Sequence, residues 1–202
     1  MEKITLPHFG EVQIPYNEEG FTPFKYNYAI GKLAYGDFVF QDKPRRLDVN
    51  FTELTDFNIN LVTKALNELD VIFSKANTIV TNDFNARLNA TENEKSGYKK
   101  RETAYDYIKS WMLWHLSKTR WYSDDSDSLV PKPFTKETPE LLLKKLDIVN
   151  VVFNALHDSE AFIVVYFAFG WSWDLGYRDD MLVLHLNQDY KFQKITMTGN
   201  PQ

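Results

Sequence analysis

Cysteine is absent from the chain. Its absence excludes disulfides, thiolate zinc sites and cysteine nucleophiles, and it is compatible with a reducing cytoplasm. Histidine is scarce. The four residues His8, His115, His157 and His185 never fall at the three-to-five spacing that puts two imidazoles on one face of a metal-binding helix. No stretch approaches the roughly 18 apolar residues of a membrane span, and the opening MEKITLPHFG has no apolar core of signal-peptide length. The expectation is therefore a cytoplasmic protein without a membrane segment. Dense basic stretches are few and short, KSGYKKR at 95–101 and KPRR at 43–46. With 23 Lys and Arg against 28 Asp and Glu, the net charge of −5 disfavours nucleic acid and favours a basic protein partner.

Hydrophobic residues make up 44% of the 202 positions, enough for one domain with a single core. Segments KITL and VQIP flank the Pro and Gly of PHFGE, which predicts a hairpin over 3–6 and 12–15. YNYAI reads as a further short strand. In RLDVNFT, Leu47, Val49 and Phe51 alternate with Arg46, Asp48 and Asn50, the pattern of a strand with one apolar and one polar face, and Asp42-Lys43-Pro44 is read as the turn before it.

After the capping residues Thr55 and Asp56 the period changes. Val62, Ala65, Leu66, Leu69, Ile72, Phe73, Ala76, Ile79 and Val80 recur at three and four, which predicts one long amphipathic helix over about 57–85, lying across a sheet face. A second helix is expected over about 102–118 and a short one, opened by Thr138-Pro139-Glu140, over about 139–146. The rest reads as consecutive strands. Residues 161–169 are apolar throughout, as expected of a central strand covered on both faces. The short connections HDSE and QDYK can only join antiparallel neighbours. The predicted fold is α+β: an antiparallel meander packed by the long helix, with an inserted second helix, in a single domain over 1–202 with an insertion at 86–137.

The segments TLPHFG, LDVNF and LGYRDDMLVLHLNQDYKFQKITM, in that order, resemble an uncharacterised family of bacterial domains. The match covers residues 4–10, 37–85 and roughly 140–198. The resemblance implies the α+β fold. Members of that family resemble proteins encoded beside polymorphic toxins, which implies an immunity role by analogy and brings no catalytic residues with it.

The constellations that carry chemistry are few. His157-Asp158-Ser159 holds the residue types of a hydrolase triad, but adjacent residues on an extended chain point in alternate directions and fit a turn better. Asp124, Asp125 and Asp127 lack the glycine and the terminal acid of a calcium loop. Neither a metal nor a cofactor site is expected. One stretch stands out as a binding surface. Trp171 and Trp173 are two apart, so an extended chain projects both from one side, with Tyr177 nearby and Asp174, Arg178, Asp179 and Asp180 as a charged rim. Trp111, Trp114 and Trp121 are candidates to enlarge this patch.

Three functions fit these features. The first is a non-enzymatic binding protein of immunity type that occludes a basic partner. The second is a hydrolase or small-molecule-binding domain with a pocket lined by Trp171, Trp173 and Tyr177. The third is a homodimeric interaction protein.

Overall fold

A computed structural model describes residues 3–13, 32–40, 43–51, 55–91, 94, 102–116, 120–122, 129–131, 138–155, 161–169 and 181–198. Within these residues the α+β class holds. Strand β1 (Lys3–Leu6) pairs antiparallel with β2 (Gly10–Gln13). Next come β3 (Lys32–Phe40) and β4 (Lys43–Phe51), helices α1 (Asp56–Asn67), α2 (Leu69–Leu88) and α3 (Ala104–Leu116), and the small ribbon β5 (Arg120–Tyr122) with β6 (Leu129–Pro131). Helix α4 (Pro139–Leu143) leads into β7 (Leu146–Ala155), β8 (Ile163–Phe169), β9 (Met181–Leu186) and β10 (Phe192–Thr198). The main sheet has six strands in the order β10-β9-β8-β7-β4-β3.

Sheet order confirms the run of neighbouring strands at the C-terminal end and places β8 in the interior, as its apolar composition demands. One seam differs from a purely antiparallel sheet. Strand β3 runs antiparallel to β4, but β4 runs parallel to β7, with Arg46 opposite Asn150 and Asn50 opposite Asn154. A parallel pair needs a crossover. Here everything from α1 to α4 supplies it, so the middle of the chain connects the two halves of the sheet. The expected turn at Asp42-Lys43-Pro44 shifts as well: Lys43 and Pro44 already lie in β4, opposite Phe40 and Val39. Proline is tolerated there because pairing with β7 begins only at Arg46.

The chain divides into two compact units. The first holds residues Met1–Asn77, Ile148–Tyr166 and Leu184–Lys194, the second Thr78–Asp147, Phe167–Val183 and Ile195–Gln202. In the first, Leu47, Val49 and Phe51 of β4 and Val151 and Phe153 of β7 are completely buried, as are Val62, Ala65 and Leu66 of α1. Each large apolar side chain removed from water in this way contributes about 1.5–3 kcal/mol. In the second, Trp111 of α3 packs on Phe169 with ring centroids 4.8 Å apart, and Tyr107 stacks on the same ring at 6.2 Å.

Capping chemistry sets the helix starts. The Thr55 hydroxyl accepts from Asn58 N at 3.2 Å and Thr138 accepts from Leu141 N at 3.3 Å, each satisfying a donor that the first turn leaves open. At α3, Thr103 accepts from Asp106 N and donates to the Asp106 carboxylate, while Asp83 Oδ2 accepts from Ala104 N at 2.8 Å in a buried setting.

The long helix expected over 57–85 is broken at Glu68. Its N–H is shared between Lys64 O and Ala65 O, and its backbone departs from helical values at φ −107, ψ 22. Nothing between Lys64 and Ile72 is a glycine or a proline. Two remote side chains bond at the break instead. His8 Nε2 donates to Leu66 O at 3.0 Å, and the Tyr190 hydroxyl donates to Glu68 Oε2 at 2.6 Å.

Candidate functional site

Alternation along β4 sends Leu47, Val49 and Phe51 to one face and Arg46, Asp48 and Asn50 to the other. The parallel register with β7 sets Asn150 beside Arg46 and Asn154 beside Asn50. A row of polar side chains therefore lies on the second face of the first unit, and its members bond to one another. Arg46 Nε donates to Asp48 Oδ2 at 3.1 Å, Asn150 Nδ2 donates to the same oxygen at 3.2 Å, and Asn50 Nδ2 donates to Asn154 Oδ1 at 2.9 Å.

These polar groups are not at the surface in the ordinary sense. Asp48 is 7% exposed and Asn50 9%, whereas Arg46, Asn150 and Asn154 are half-buried. A guanidinium and an amide pointing at it make so enclosed a carboxylate tolerable. On β8, Tyr166 is also half-buried. Burial pushes its phenol above the usual tyrosine range and the Asp48 charge adds to the effect. The phenol therefore stays protonated at neutral pH and keeps both its donor and its acceptor.

One atom of the row stands apart. Asn150 Oδ1 is buried and has no hydrogen-bond partner among the described residues. Its orientation is fixed by chemistry, because turning the amide over would set an oxygen against Asp48 Oδ2. The row combines one ion pair, a paired amide ladder and a neutral phenol.

The residues expected to form the binding surface, Trp171, Trp173, Asp174, Tyr177, Arg178 and Asp179, lie outside the described residues. So do Asp180, the His157-Asp158-Ser159 turn, the Asp124, Asp125 and Asp127 cluster, and the YNYAI strand. The side chains of Trp114, His115 and Trp121 are likewise outside the description. Trp111 is described, and it corrects the expectation: at 4% exposure it belongs to the core beside Phe169 and cannot enlarge a surface patch. Its place on the apolar stripe of α3 explains why. His8 is exposed in the β1–β2 turn and His185 is half-buried on β9. Among the described residues, no cluster of three or more His, Cys, Asp or Glu could hold a metal ion, and no helix is long and apolar enough to cross a membrane.

Sequence reasoning placed Arg46, Asp48 and Asn50 on a polar strand face but missed that Asn150, Asn154 and Tyr166 complete it. The signal was present in NVVFN, where the two asparagines are four apart and so share a face of a strand. No protein-family model, no curated protein and no solved structure matches this chain.

Proposed function

We propose that the chain is a cytoplasmic, non-enzymatic binding protein of immunity type that docks on a basic protein and occludes it. The observation that carries this reading is the hydrogen-bonding row spread along a half-buried sheet face of the first unit, from Arg46 and Asn150 to Asn50 and Asn154. Asp48 and Asn50 are enclosed and hold the row in place, so the half-buried Arg46, Asn150 and Asn154 are its members within reach of a partner. The net charge of −5 supports a basic partner, with charge contributing chiefly to the association rate. Independently of that row, the sequence offers a set of aromatic anchors, Trp171, Trp173 and Tyr177, rimmed by Asp174, Arg178 and Asp179. The resemblance to toxin-associated families supports immunity as the biological setting.

Pull-down of the product of the adjacent gene, with protection of cells against that product, tests the reading. Wild-type protein is expected to capture it and protect, with capture weakening as salt rises. The Trp171→Ala, Trp173→Ala double variant is expected to lose both. Equal protection by the double variant would show that the tryptophans are not the anchors, and no capture by the wild type would remove the immunity reading.

A further inference from the structure

Two non-glycine residues have a left-handed backbone among the described residues, His8 at φ 66 and Tyr190 at φ 59. They lie at opposite ends of the sequence, in the β1–β2 turn and the β9–β10 turn. Such a conformation costs a side-chain-bearing residue on the order of 1 kcal/mol, and it persists where the surroundings enforce it. Both side chains end at the same place. His8 reaches Leu66 O and Tyr190 reaches Glu68 Oε2, on either side of Asn67 at the break between α1 and α2.

The local sequence holds no glycine or proline at the break. Lys64, Ala65, Leu66, Glu68 and Leu69 are good helix formers, Asn67 among them is a weaker one, and the apolar stripe runs through the junction without a change of phase. Sharp departures from a helix arise at proline, at glycine, or where a group inserts into the i→i−4 ladder. Here the imidazole bonds Leu66 O, an acceptor of that ladder, and the phenol holds Glu68, two residues on. The Tyr190 contact is the better protected of the two, since Tyr190 is 8% exposed while His8 is exposed.

We propose that Glu68 is a latched hinge: the α1–α2 break is a state held by the two turn tips, and releasing the Tyr190 latch lets residues around Glu68 join into one continuous helix. The hinge ties the two terminal segments of the chain to one point, so a ligand or partner that lifts the 187–191 turn would change the helix. This inference does not depend on the partner reading above.

Hydrogen exchange read at single amides tests it. Glu68→Ala removes the acceptor and keeps a helix former, and Tyr190→Phe removes the donor and keeps the ring. In both, exchange at Leu69 and Val71 is expected to slow by about tenfold or more relative to wild type, as each amide gains a helical hydrogen bond. Exchange over Phe73–Val80 is expected to stay as it is. Glu68→Gln, which retains an acceptor for the phenol, is expected to behave like wild type. Exchange at Leu69 that is unchanged or faster in both release variants overturns the proposal, and so does global unfolding of both, because a held state should survive the loss of its latch.

Discussion

Replacing Asp48 by alanine probes the polar row at its centre. The carboxylate accepts from Asn150 Nδ2 and from Arg46 Nε, and Asp48 is nearly enclosed while the Arg46 side chain is 32% exposed. Loss of the amide bond to a charged acceptor costs about 1.5–3 kcal/mol and strands a second polar end of Asn150, whose Oδ1 already has no partner among the described residues. The ion pair adds only about 0.5–1 kcal/mol, because water reaches the guanidinium and screens it. The sum is about 2–4 kcal/mol, which for a chain of this size lowers the melting temperature by roughly 5–15 °C. Urea unfolding monitored by tryptophan fluorescence measures it, with an unchanged m-value as the condition for reading the midpoint as stability. Asp48→Asn offers the internal control. An amide at position 48 still accepts from one neighbour and can donate to Asn150 Oδ1, so its cost is expected to be about 1 kcal/mol. In a double-mutant cycle with Asn150→Ala, the coupling energy is expected to be about 1–2 kcal/mol. If Asp48→Ala lies within about 0.5 kcal/mol of wild type, the ordinary range for an unimportant surface site, the enclosed row is refuted.

Three further perturbations follow from named bonds. Asp83→Ala removes the buried acceptor of Ala104 N and is expected to cost about 2 kcal/mol in urea unfolding, with Asp83→Asn recovering part of it. Thr55→Ala removes the cap of α1 and is expected to cost about 1 kcal/mol, read in the same way; Thr55→Ser should restore it. Alkaline pH acts through Tyr190 and Tyr166. Burial raises both phenols, and Glu68 beside Tyr190 and Asp48 near Tyr166 raise them further. A folded-state value above the unfolded value of about 10 means that this stabilisation is complete below about pH 10 and is lost as pH climbs towards the folded value. The urea midpoint of wild type should therefore fall above about pH 10 more steeply than that of Tyr190→Phe, and parallel curves would contradict the assignment.

Strand β4 and the strands of the C-terminal run were legible because each carries its own pattern. RLDVNF alternates, AFIVVYFAF is apolar throughout, and MLVLHLN and FQKITMT are separated by a turn too short for anything but a hairpin. The caps at Thr55 and Thr138 were legible for the same local reason. The small β5–β6 ribbon was not, because its stretch, rich in Ser, Asp and Pro, reads as a loop, and neither were two long-range features. The direction of β4 against β7 depends on how the chain from Thr52 to Lys145 crosses over, which no window of residues encodes. The break at Glu68 coincides with bonds from side chains of residues 8 and 190, and no stretch around it carries a glycine or a proline to announce it. At the candidate site the polar face of β4 could be read, but enclosure of Asp48 and Asn50 could not, because it requires the partner strand in register.

The parallel seam between β4 and β7 builds the polar row and makes the middle of the chain a crossover, so its direction is the claim to test first. With no native cysteine to interfere, paired cysteines report strand direction without ambiguity. Oxidative cross-linking is expected for Arg46→Cys with Asn150→Cys and for Asn50→Cys with Asn154→Cys, the pairs that lie opposite each other in the parallel register. Cross-linking instead of Arg46→Cys with Asn154→Cys and of Asn50→Cys with Asn150→Cys would mean antiparallel strands, and the row described here would not exist.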